Sequence, residues 1–192
     1  MKDLTQKKEI ILRRELAFAD EIGAAVFEKP EVSYWMVFIP ILFLYFIYRM
    51  QKFKSDRMKF NEEFMSARKR AMDIALGDSA TGGIAETDWA AHGSELPAPL
   101  QKPYIYWIKT LSSHYLEMLS ASGDDFESLV RAAYRNRSDY LLALEKLNNA
   151  EKDFYTALKP LMAQVEGTAD IIAIIESQSR KLRSETADRI FH

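Results

Sequence analysis

Residues 32–48 read VSYWMVFIPILFLYFIY, seventeen residues without a charge, and the run stops abruptly at Arg49. As a helix the stretch would extend about 25 Å, at about 1.5 Å per residue. A hydrocarbon core of about 30 Å takes about 20 residues, with about 17 near the lower limit. The run is short but sufficient, because Arg49 and Lys52 can lift their charged ends to the headgroups while their stems stay in apolar surroundings. Tyr34 and Trp35 near one end, with Tyr45 and Tyr48 near the other, place amphipathic rings at two water–lipid interfaces. A helix buried in a protein core normally keeps a polar face. Here only Ser33 and the tyrosines offer one, so the expectation is a transmembrane helix.

Pro40 sits in the middle of the run. It removes a backbone donor and kinks a helix. A bent crossing and a hairpin with both ends on one side are both compatible with it, and the crossing is the expectation adopted. A removable signal peptide does not fit: the leading region carries both signs of charge, and Arg-Met-Gln-Lys-Phe-Lys follows in place of a small-residue cleavage site. Orientation follows the basic residues. Six lie in 49–68 and three in 12–31, which predicts a C-terminal part in the cytoplasm and a translocated N-terminal tail.

Working outward, residues 1–31 form the tail. Ile11, Leu12, Phe18, Ala19, Ile22, Ala25 and Val26 share one face of an amphipathic helix over about 4–28, suited to a membrane interface or to another helix. Downstream, 49–76 continues the span as a juxtamembrane helix. Met50, Phe53, Arg57, Phe60, Phe64, Ala67, Ala71 and Ile74 alternate three and four apart, with Met58, Met65 and Met72 widening the stripe into a bundle face. Lys52 and Lys54 are near enough to the span to attract anionic headgroups.

Glycine and proline cluster in 77–101, which has four acids and no Lys or Arg. That segment reads as a flexible acidic linker, with Trp89, Ile84 and Leu96 able to pin it down. The intervals 104–122, 124–159 and 168–192 lack proline and, apart from Gly123 and Gly167 that bound them, glycine; such stretches, rich in helix formers, are helices. A helix is expected from Pro103 to Ser120, then a cap at Asp124 with Glu127. A long helix follows whose seam runs from Phe126 to Val165, with a possible break at 135–138 and a kink or split at Pro160. A last helix runs from Gly167–Thr168 to about Ile190. The fold class expected is all-α: a single-pass span, a juxtamembrane helix, and an antiparallel cytoplasmic bundle over 102–192 that packs with 49–76.

Chemistry is sparse. There is no cysteine, which excludes disulfides, thiolate catalysis and Cys-ligated metal. The histidines, His92, His114 and His192, form no Glu-x-x-His or His-Glu-x-x-His pattern. His114 and Glu117, three apart, suit a polar pair. No phosphate-cradling glycine motif occurs, and Ser66-x-x-Lys69 lacks its partner motifs. No catalytic, cofactor-binding or metal residue is assigned. Arg57, Arg137 and Glu151 interrupt apolar seams, where a buried ion pair can fix register. A net charge of −2 and one small basic stretch argue against nucleic acid. The function expected is a non-enzymatic, membrane-anchored scaffold or adaptor whose partners are the bilayer and a protein or a second copy of itself, with no small-molecule substrate identified. The alternative is an accessory subunit of a larger integral membrane complex.

Overall fold

The computed structural model describes residues 2–27, 56–81, 86–163 and 168–192. Among these there is no strand: the protein is all-α. The elements are α1 (Lys2–Phe27), α2 (Asp56–Thr81), α3 (Glu86–Gly93), α4 (Ala98–Ser120), α5 (Phe126–Ala133), α6 (Arg137–Leu158), a 3-10 turn (Lys159–Met162) and α7 (Thr168–Phe191). Val32–Tyr48, together with Arg49, Lys52 and Lys54, lies outside the described residues. No described helix is long and apolar enough to cross a membrane.

Five long helices close a ring: α1 packs on α2, α2 on α4, α4 on α6, α6 on α7 and α7 back on α1. Side-chain pairs fix the directions. Lys8 meets Asp73, Glu15 meets Arg68 and Asp20 meets Asn61, so α1 and α2 are antiparallel. Arg14 reaches Thr186 and Phe18 lies under Arg183, so α1 and α7 are antiparallel. Lys159 pairs with Glu176 and Arg137 with Asp188, which sets α6 against α7. Trp107 stacks on Phe154 and His114 on Tyr140, which sets α4 against α6.

It follows that α2 and α4 are parallel neighbours. A parallel neighbour needs a return path, and this accounts for the length of 77–101. The segment read as a flexible linker is corrected in its described part. The α2 helix runs on to Thr81, α3 covers Glu86–Gly93, and α3 packs on α4 with Trp89 and Leu96 buried. Helix α4 begins five residues before Pro103, with Pro99 in its first turn, where a missing N–H costs nothing.

The long helix expected from Phe126 is two helices. Asp125, rather than Asp124, caps α5: its carboxylate accepts from the Ser128 N–H at 2.7 Å, and the Ser128 hydroxyl returns to the Asp125 N–H. After Tyr134 the chain breaks, and Asn136 caps α6 by accepting from the Asp139 N–H at 2.9 Å. At the far end α6 stops at Leu158, and Pro160 sits in the 3-10 turn that follows.

The tail is the expected amphipathic helix, and of its two alternatives it takes packing on other helices: Ile11, Phe18, Ala19, Ile22 and Val26 are all buried in the common core. Four of these, all but Ala19, are side chains worth about 1.5–3 kcal/mol each on burial. Their sum is comparable with the whole stability of a domain, about 5–15 kcal/mol. A tail held away from the bundle would forfeit that wall.

Candidate functional site

Charged side chains occupy the middle of the ring. Arg68 projects from α2 and is 0% exposed. Its neighbours along the same face are Phe64, Met65, Ala71 and Met72, all buried; the face is apolar and Arg68 is its polar member. Its Nε donates to Glu15 of α1 at 2.8 Å, its Nη1 to the Phe64 carbonyl at 3.1 Å, and its Nη2 approaches Glu151 of α6 at 3.5 Å. Glu151, 3% exposed, accepts on its other oxygen from Arg183 of α7 at 2.8 Å. Arg183 also donates to Asn148. The result is a chain of alternating sign, Glu15–Arg68–Glu151–Arg183, that ties four helices and sums to zero charge.

Aromatic faces complete the setting. The Arg68 guanidinium lies 3.6 Å from the Phe64 ring centre and 5.6 Å from that of Phe18, and Arg183 lies 5.2 Å from Phe18. Such stacking suits guanidinium, which is planar and weakly hydrated. Burial alone would lower the Arg68 pKa, but Glu15 and Glu151 outweigh it and the pKa is raised. Burial drives the Tyr115 and Tyr155 hydroxyls well above their ordinary range, with Glu15 and Glu151 adding to it respectively. Arg68 is therefore charged, and Tyr115 and Tyr155 neutral, across the neutral range.

Beside this chain lies His114 of α4. Its Nδ1 is 2.5 Å from the Tyr134 hydroxyl, and its ring forms a three-ring cluster with Tyr134 and Tyr140, whose own centres are 5.1 Å apart. Burial, helped by the Arg183 charge, lowers its pKa to about 4. Glu117, its expected partner, is exposed, so that pair does not form. Between Arg14, Glu15, His114, Tyr140, Arg183 and Thr186 there is a cavity of about 40 Å³. One water takes about 30 Å³ of liquid, whereas ligand pockets run to about 300–1,000 Å³. That cavity has room for a solvent molecule and not for an organic substrate; a second hollow, about 250 Å³, borders Glu151 from beside Asn148, Glu176 and Arg180.

A larger hollow, about 660 Å³, opens along the outer side of α2 beside His92. Two of its charged residues, Asp73 and Arg70, are already engaged. Asp73 holds Lys8 at 2.9 Å, and Arg70 donates to the His92 carbonyl at 3.3 Å and the Tyr104 hydroxyl at 3.4 Å. Among the described residues no group of three or more His, Asp or Glu side chains could hold a metal ion.

The three residues singled out as polar interruptions of apolar seams are placed differently. Glu151 is central. Arg137 is at the surface, 46% exposed, where its Nε donates to Asp188 at 2.9 Å. The Arg57 side chain lies outside what is described, as do Tyr34, Trp35, Tyr45 and Tyr48. Sequence reasoning missed Arg68, Glu15 and Arg183. Their signal was available: Glu15 lies four after Ile11 and three before Phe18, and Arg68 lies four after Phe64 and four before Met72. Both stand in the apolar stripe itself.

No family model, curated protein or solved structure matches this chain.

Proposed function

We propose that the protein is a membrane-anchored helical scaffold: Val32–Tyr48 holds it at a bilayer, and the bundle offers its outer faces to a protein partner or to a second copy. The uncharged run with aromatic residues at both ends carries the reading. The interior supports a structural role over a catalytic one. Its buried charges are committed to each other, and the cavity of about 40 Å³ beside His114 is too small for a substrate. The juxtamembrane lysines Lys52 and Lys54 add attraction to anionic headgroups, of about 1 kcal/mol each near the surface.

The test is flotation of the full chain from lysed cells on a density gradient without detergent. The protein rises with lipid, and the double variant Phe43→Asp/Leu44→Asp stays at the bottom with an unchanged melting temperature. Wild-type protein left wholly in the high-speed supernatant overturns the proposal. Purification in mild detergent then tells a self-assembling scaffold from a subunit of a larger complex, by whether other integral membrane proteins are retained in fixed ratio.

A further inference from the structure

We infer that α1 and the rest of the bundle stand on the same side of the bilayer. The inference rests on the membrane reading above. Three cross-helix pairs carry it: Lys8 to Asp73 at 2.9 Å, Glu15 to Arg68 at 2.8 Å and Asn61 to Asp20 at 2.6 Å. Each step forward along α1 is a step backward along α2. The last turn of α1, at Phe27, and the first of α2, at Asp56, therefore belong to one end of the bundle. Helix α7 agrees, since Thr186 and Arg183 meet Arg14 and Phe18 in the same reversed order. A bilayer between α1 and α2 would break all of these pairs together.

Length agrees: residues 28–55 number 28, short of the about 40 that two crossings need. The basic residues fit as well. Arg13 and Arg14 before the segment, and Arg49, Lys52 and Lys54 after its apolar run, share one side. That side is the cytoplasmic one, and no charged tail has to be translocated.

The chain has no cysteine, so full-length Glu9→Cys and Lys152→Cys each carry one thiol, at exposed positions on α1 and α6. Sealed inverted and right-side-out membrane vesicles are treated with a membrane-impermeant maleimide, before and after detergent. Both thiols are expected to react fully in inverted vesicles, and in right-side-out vesicles only after detergent. Labelling of the two thiols from opposite faces overturns the inference while leaving the anchor intact. Reaction of both only from the outer face keeps the one-sided arrangement and reverses its orientation. Protein found entirely in the supernatant removes the anchor and this inference with it, and is seen before any labelling. Melting temperatures equal to wild type show that each variant keeps its bundle.

Discussion

At the level of single residues, Arg68 is the most sensitive position in the bundle. Removing one partner of a buried ion pair strands the other charge and costs about 3–5 kcal/mol. Arg68→Met is expected to lower the melting temperature by roughly 10 °C, at about 2–4 °C per kcal/mol for a domain of this size. The double variant Glu15→Leu/Arg68→Met is expected to be more stable than Arg68→Met alone. It removes the stranded Glu15 and leaves Glu151 its shorter bond to Arg183. Thermal melts of the two check this non-additivity. His114 governs a pH response. Its folded pKa of about 4 lies below the ordinary value of 6.5, through burial and then Arg183. Between those values the unfolded chain binds the extra proton. Stability from the neutral imidazole is therefore complete above pH 6.5 and lost as pH falls towards 4, a change on the order of 3 kcal/mol. Urea titrations from pH 7 to 4 should show that slope, and His114→Phe should flatten it.

Single elements are governed by their ends. A Cβ on Gly123 would approach the Leu129 nitrogen to 2.8 Å and collide with Ser128, whereas one on Gly77 within α2 meets nothing. Gly123→Ala is expected to destabilise by disrupting the Asp125–Ser128 cap, and Gly77→Ala to stabilise by about 0.5–1 kcal/mol through helix propensity. Paired melts decide both signs. Asn136→Ala should cost about 1 kcal/mol by uncapping α6. These ends also mark how far the sequence could be read. The long helices were legible because breaker-free stretches with three-and-four spacing leave few alternatives. The α5–α6 break was legible as the polar stretch 135–138, although the apolar spacing runs through it from Val130 and Ala133 to Tyr140. Helix α3 was missed because its eight residues hold a single large apolar side chain, Trp89, amid glycine and acids. Glu151 stood out as a polar break in an apolar seam. Arg68 and Glu15 did not, because reading each helix for its apolar members hides a charge whose partner lies on another helix.

For the whole molecule, ring closure through α1 makes residues 28–55 an insertion between two helices that already face one another. Replacing that segment by a flexible linker of about 10 residues, slightly above common helix–helix connections, is expected to give a bundle that stays in the supernatant and melts within a few degrees of the parent. Calorimetry and sedimentation check the two halves of that statement. The closure of α1 against α7 also has a consequence for biosynthesis. Helix α1 is translated well before the α7 that seals it. At about 5–20 residues per second, a ribosome takes roughly seven to thirty seconds to go from the end of α1 to the start of α7. For most of that interval Glu15 and its greasy flank have no permanent neighbour on α7. Nascent chains stalled before Thr168 are expected to be cut by protease within the first 27 residues, and released full-length chains to resist.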